Sequence, residues 1–301
     1  MRNAFVDEIL NLGKVTPRLV VLSGDIGNKR FDKFKAAAPG RFLNCGIAEA
    51  NMMGMALNGF RPVVYTITPF TTTRCFEQIR VDVCYHRVPV LIVGTGSGLS
   101  YAELGPTHHS CEDIAILRSL PEMVVLCPAD AAEMRQGLRA ALLQDQPVYM
   151  RIGRKGEPTV HAAPPAEFQI GKAITIRASD DLCLIGTGNM VSVLVEAAGL
   201  LAERGVSARV ESFHTVKPLD GERLAEIFER YPSVVVAEEH SVVGGLAGGR
   251  WRNGWRRAAA RGRAFGVSEC PTPSSIASGS QDDMRRRFGL TPQAIADAVG
   301  S

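Results

Sequence analysis

The sequence predicts an α/β protein of two domains, each a parallel sheet covered by helices. Three observations carry that prediction. Short apolar runs rich in β-branched residues alternate with helical patterns along most of the 301 residues, as strand–helix–strand units do. Runs such as Val90-Leu91-Ile92-Val93 are apolar without alternation, the mark of strands buried on both faces of a sheet. Residues 153–169 break the pattern with Pro158, Pro164 and Pro165 and no apolar period, which reads as an interdomain linker.

In chain order, strands are expected at 19–22, 62–66, 89–94, 123–127 and 147–152. Helices fall between them at 47–58, 73–86, 111–120 and 131–144. Past the linker the same alternation resumes, with strands at 181–185, 208–213, 233–237 and 264–267. Helices there are expected at 191–203, 221–230, 244–257, 281–288 and 292–299. This sets a first domain at 1–155, a linker at 156–172 and a second domain at 173–301.

Composition narrows the function classes. Hydrophobic residues make up 46% of the chain and charged residues 22%, as in ordinary globular proteins. A formal net charge of +3 is too small for a nucleic-acid surface. The arginine-rich stretches 250–263 and 285–287 read as solvated helix faces or as sites for an acidic partner. The cysteines at 45, 75, 84, 111, 127, 183 and 270 form no CxxC pair, so we expect reduced, buried thiols and no metal site in this chain. No signal pattern opens the chain and no apolar run approaches the roughly 18–20 residues of a bilayer span. The expected protein is cytoplasmic, with neither nucleic acid nor membrane as partner.

Glycines invite a nucleotide reading at 94–98, 186–188 and 244–249, yet none completes GxGxxG with a following acidic residue. No GxxxxGK[ST] phosphate loop is present. The first two clusters read as turns that need a positive φ and close packing; the third fits that role and an interface equally.

The ionisable residues are more informative. Glu49 opens an almost uncharged helical stretch, Met52–Leu57 being apolar. A first-turn carboxylate favoured by the helix dipole explains it; so does catalysis, because an apolar setting disfavours the charged form of a proton donor. His108 and His109 lie in a Gly/Pro loop ahead of a helix for which Ser110 is the expected cap and Asp113 the box residue. Capping leaves the histidines unexplained, and loop histidines suit proton transfer or hydroxyl binding. Arg151 and Arg154 leave a buried strand for a loop, where a guanidinium fits a carboxylate, a phosphate or an interdomain ion pair.

Together these segments resemble the transketolase family. NCGIAEANMMGMA (44–56), PVLIVGTGSG (89–98), GPTHHSCEDIAILRSLPEM (105–123) and PVYMRIGR (147–154) look like its pyrimidine-binding domain. TVKPLD (215–220) and VVVAEEHSVVGGLAGG (234–249) look like its C-terminal domain. The resemblance covers essentially the whole chain. It implies a transferase that moves a two-carbon ketol unit from a ketose or ketose phosphate to an aldehyde, with thiamine diphosphate as cofactor. Full-length transketolases carry a further N-terminal domain holding the diphosphate and a Mg2+ or Ca2+ ion at a GDG motif, and Gly24-Asp25-Ile26 lacks the second glycine. The chain thus looks like the C-terminal subunit of a split enzyme. The expected partner is an N-terminal diphosphate-binding subunit in an α2β2 heterotetramer, with self-association.

Residue by residue, the resemblance makes Glu49 the group that hydrogen-bonds the aminopyrimidine, and Phe70 or Phe76 the ring that stacks on it. Asp25 falls near the cofactor and the subunit interface. His108, with His109 beside it, is similar to the histidine that contacts substrate hydroxyls and the reacting carbon, and Arg154 and Arg2 to arginines that bind a sugar phosphate. Departures point to a different donor or acceptor: Leu104 replaces a hydroxyl-reading aspartate, Gly96 a histidine at the phosphate end, and Lys29 lies near a serine supporting that phosphate. A 2-oxo-acid dehydrogenase β chain and a non-catalytic subunit of the same fold are the alternatives; the incomplete glycine fingerprint counts against a nicotinamide enzyme.

Overall fold

A computed structural model of the chain describes residues 1–55, 59–154, 156–165, 167–248, 264–268, 270 and 279–299. Two sheets organise them. In the first, β1 (Leu19–Ser23), β2 (Phe42–Asn44), β3 (Arg61–Ile67), β4 (Leu91–Thr95), β5 (Val124–Leu126) and β6 (Val148–Ile152) run parallel in the order 5-6-4-3-1-2. The second contains β7 (Ile174–Arg177), β8 (Leu182–Gly186), β9 (Ala208–Ser212), β11 (Ser233–Ala237) and β12 (Ala264–Ser268) in the order 12-11-8-9-7, parallel except for β7. One strand from the second half, β10 (Thr215–Lys217), crosses over and pairs antiparallel with β5 of the first sheet.

The apolar runs become the sheet centres. Every residue of β1, β4 and β6 is buried, as expected of strands covered on both faces. On one side Phe5, Ile9, Met134 and Leu138, from the helices Arg2–Val15 and Ala131–Leu142, join a core with Leu19, Val63 and Val93. On the other side Ile114 and Leu117 share a core with Val64 and Ile92 of the first sheet and with Ile185 and Val236 of the second. The two sheets therefore close over common apolar material.

The strand expectations hold to within one or two residues where the runs are long, and 233–237 matches β11 residue for residue. Three expectations change. The helix expected at 73–86 is a 3-10 turn (Thr73–Cys75), one turn of α-helix (Phe76–Gln78) and a π-helical stretch (Ile79–Tyr85). Thr72 and Thr73 donate their hydroxyls back to the Thr68 and Pro69 carbonyls, at 2.7 and 2.8 Å, and such bonds compete with regular helix. The helix expected at 111–120 begins at Asp113 after Glu112, and no side chain caps it. Asp113 is drawn instead into a buried ion pair with Arg151. Residues 244–248 of the helix expected at 244–257 form turns, while 249–257 and the arginine-rich stretch 250–263 lie outside the described residues. The end of the helix expected at 47–58 also lies outside them; its described part is Glu49–Gly54.

The cysteines are unpaired, and all but Cys45 are buried. Among the described residues no helix is long and apolar enough to cross a membrane.

Candidate active site

Residues distant in sequence meet at the carboxyl ends of the first sheet's parallel strands, where open α/β sheets place ligand crevices. Asp25 follows β1, Glu49 follows β2, Phe70 and Arg74 follow β3, Tyr101 and His108 follow β4, and Arg154 follows β6. The sheet order 6-4-3-1-2 lines these loops up along one edge.

Glu49 begins its helix at 2% exposure. A Cβ on Gly24 would lie 3.3 Å from its Cγ and 3.0 Å from the Thr66 side chain, so the glycine after β1 is what lets the carboxylate settle against the sheet. Glu49 Oε2 accepts a hydrogen bond from Arg74 Nη1 at 2.9 Å. That guanidinium also lies over the Phe70 ring, 4.0 Å from its centroid. Phe70 meets the His108 ring edge-on, with centroids 5.2 Å apart. Beyond His108 stands Tyr101, 6.0 Å away and also edge-on, and Arg154 covers the Tyr101 ring at 4.5 Å while pairing with Glu103. A continuous strip thus runs Glu49–Arg74–Phe70–His108–Tyr101–Arg154.

Electrostatics along the strip favour a neutral histidine. Burial and then the nearby Arg74 charge hold the His108 pKa below its ordinary value. Its Nδ1 lies 2.9 Å from the Thr107 hydroxyl, so the other ring nitrogen is the one facing any ligand from this loop. Tyr101 depends on a missing side chain: a Cβ at Gly96, where φ is +74°, would come within 1.9 Å of the ring. The tyrosine therefore fills the space a side chain at 96 would take.

Beneath this strip lies a buried brace. Asp113 Oδ2 accepts from Tyr149 Oη at 2.6 Å and from Arg151 Nε at 2.8 Å. Arg151 Nη2 donates to the carbonyls of Ser110 and Glu239, at 3.0 and 2.9 Å, joining the histidine loop to the second sheet's half of the chain. Burial works against the Asp113 charge, but Arg151 and then His240 hold its pKa below the usual carboxylate value. His240 is pushed down to about 4 by burial, with Asp113 opposing.

The other sequence candidates are placed apart from the strip. His109 is buried, with Nε2 3.3 Å from the Ala102 carbonyl oxygen. Phe76 packs against the apolar core. Asp25 is exposed and accepts from Asn44 Nδ2 at 2.9 Å. Arg2 opens the first helix, and the neighbouring Met1 amine pairs with Glu157 at 2.6 Å, just past Arg154 in the chain. Sequence reasoning missed Arg74 and Tyr101. Neither Tyr101, at the start of the Gly/Pro loop, nor Arg74, in the TTTRCFEQ run (71–78), carries a local signal in the sequence.

Chemically, the buried Glu49 carboxyl and the Phe70 face, bridged by Arg74, suit a flat nitrogen heterocycle whose ring nitrogen can share a proton with the carboxyl. Among the described residues no group of three or more His, Cys, Asp or Glu side chains is arranged to hold a metal ion.

Comparison with known proteins gives this arrangement a context. The family model "Transketolase, pyrimidine binding domain" matches residues 1–158, and "Transketolase, C-terminal domain" matches 171–295. An apulose-4-phosphate transketolase subunit of Phocaeicola vulgatus is 35% identical over 81% of this chain and 80% of its own length. A 6-deoxy-6-sulfo-D-fructose transketolase subunit of Clostridium sp. is 33% identical over 99% of this chain and 93% of its own. A solved structure described as a split gene transketolase, inactive β4 tetramer, superposes with a TM-score of 0.85 at 32% identity, covering 99% of this chain and 96% of that one.

Proposed function

Since this chain belongs to the transketolase family, we propose that it is the subunit of a two-chain transketolase that activates the pyrimidine end of thiamine diphosphate. The observation that carries this reading is the shared engagement of Glu49 and Phe70 by one planar N–H donor. The guanidinium bonds the carboxylate and stacks on the ring, and an aminopyrimidine sharing a proton between its ring nitrogen and Glu49 would use the same two groups. These residues fit the pyrimidine half of the cofactor. The diphosphate and its Mg2+ or Ca2+ fall to an N-terminal partner, because the GDI at 24–26 is not a GDG.

When bound, thiamine diphosphate supplies the nucleophilic carbon and the electron sink for moving a two-carbon ketol unit. Glu49 would hold a proton at Oε2 against the pyrimidine ring nitrogen, its own burial keeping water from the carboxyl. Phe70 would fix the ring plane. A neutral His108 can donate to or accept from a substrate hydroxyl, and Arg154 would receive the anionic end of a ketose phosphate. Exposed Leu104 offers no hydroxyl reader, so we infer a donor or acceptor outside the pentose-phosphate set. An α2β2 assembly is the proposed active form; the solved relative described as an inactive β4 tetramer is consistent with a β chain that self-associates.

The test is reconstitution with a diphosphate-binding subunit, reading ketol transfer and cofactor binding. Wild-type turnover in Glu49→Gln would sink the assignment, and acylation of a lipoyl carrier in place of ketol transfer would move the chain to the 2-oxo-acid dehydrogenases.

A further inference from the structure

Arg74 has no place in the chemistry above, yet it touches both groups assigned to the pyrimidine. Glu49 is 2% exposed at its side chain and Arg74 is 43% exposed. A carboxylate taken out of water needs a partner, and in this chain Arg74 Nη1 is that partner, at 2.9 Å. The same guanidinium occupies the Phe70 face at 4.0 Å. A flat heterocycle that shares a proton with Glu49 Oε2 while stacking on the face of Phe70 that Arg74 covers would need what the guanidinium already holds, so the two compete for that place. We propose that Arg74 is an internal plug: it stands in for the aminopyrimidine in the unloaded chain and swings outward when the cofactor enters.

This inference rests on the cofactor reading above and adds a residue and an order of events to it. The outward swing is easy because nearly half of the Arg74 side chain already lies in solvent, and arginine keeps its charge in water while its stem lies along apolar surface. The plug also has a use. It prevents Glu49 from being a buried, unpaired charge before the partner and cofactor arrive. Its removal should therefore have two opposite effects, destabilising the unloaded chain and tightening pyrimidine binding.

The experiment uses the full chain and 4-amino-5-hydroxymethyl-2-methylpyrimidine, which carries the aminopyrimidine alone, titrated by calorimetry or ligand-observed NMR. A half-exposed ion pair reinforced by a stacked cation corresponds to roughly a three- to tenfold factor in an equilibrium. Arg74→Leu should tighten the probe by that much and lower the melting temperature of the free chain. Adding Glu49→Gln should restore the melting temperature, since no unpaired charge is then left. Arg74→Gln serves the same comparison if the leucine variant does not fold. Binding that depends on Glu49 but is unchanged or weakened by Arg74→Leu overturns the plug and leaves the cofactor reading standing. No Glu49-dependent binding by either the wild type or Arg74→Leu overturns the cofactor reading, and the plug with it.

Discussion

Arg151 and Arg154 sit three positions apart where β6 ends, and they serve different regions of the molecule. Arg151 is 4% exposed, with donors directed to Asp113 and to two backbone carbonyls from separate halves of the chain. Arg154 is half-buried, lies flat on Tyr101 and pairs with one exposed carboxylate, Glu103. Removing one partner of a buried pair leaves an uncompensated charge and costs about 3–5 kcal/mol, whereas an exposed pair is worth about 0–1 kcal/mol. The brace is therefore held by its charges, while Arg154 at the strip's far end contributes little to the fold through its own. Substituting Glu49 should change turnover and largely spare stability, whereas substitutions in the brace should act first on stability.

The largest effect belongs to the strip. Glu49→Gln keeps shape and hydrogen bonding but removes the exchangeable carboxyl, so turnover of the reconstituted enzyme should fall by roughly 10²–10⁴-fold, the usual range for a positioned acid–base group. Thermal unfolding of the chain should change little, because Arg74 is already half in solvent. A variant that unfolds and still turns over in proportion to its folded fraction would erase the distinction between the regions.

In the brace, Asp113→Asn removes the charge facing Arg151 and should cost about 3–5 kcal/mol in urea denaturation. The His108 loop is tied to this brace through the Ser110 carbonyl, so turnover should fall too, but only as the chain loosens. Unchanged stability with lost turnover would move Asp113 into the strip.

Both regions were only partly legible in the sequence. The strands showed because long apolar runs need no partner to be recognised, and the strip's Glu49 and His108 showed through motifs. β2 and β10 are three residues each, too short to carry a period, and β7 is a half-buried edge strand paired antiparallel. Asp113 looked like a helix-capping residue because capping is local; its partners lie 36 and 38 positions away. Arg74 is 25 positions from Glu49, and only the neighbouring of β1, β2 and β3 brings them together. GPTHH presents two adjacent histidines, and nothing in the spacing tells which one turns inward to the Ala102 carbonyl.

Gly96→Ala tests the strip's far end. It places an L residue at φ +74° and drives a Cβ into the Tyr101 ring, for an expected cost of about 2–3 kcal/mol. The displaced ring should also take Arg154 with it, raising KM for an anionic substrate several-fold with kcat less affected. Equal losses in both constants would mean that Tyr101 acts at the reacting carbon.

The smallest effect lies at His161, in the segment between β6 and β7. The His161 side chain is 8% exposed, its Nε2 2.9 Å from Glu133 Oε1, and its backbone N–H donates to Asp130. Burial opposes its charge, yet the Glu133 carboxylate, with Asp130 behind it, raises its pKa above the ordinary histidine value. A raised folded-state pKa stabilises below the unfolded value of about 6.5, and the contribution disappears as pH rises through the folded value. His108, His109, His214 and His240 are all shifted the other way, chiefly by burial, so as a group they weaken the fold as pH falls. His161→Gln should therefore be less stable than the wild type by about 1 kcal/mol at pH 6, and that gap should close by pH 8.5. Since His214 lies close enough to sense His161, the comparison is best made at several pH values by urea denaturation. A gap that widens with pH would show that this segment is held by the neutral imidazole and not by its charge.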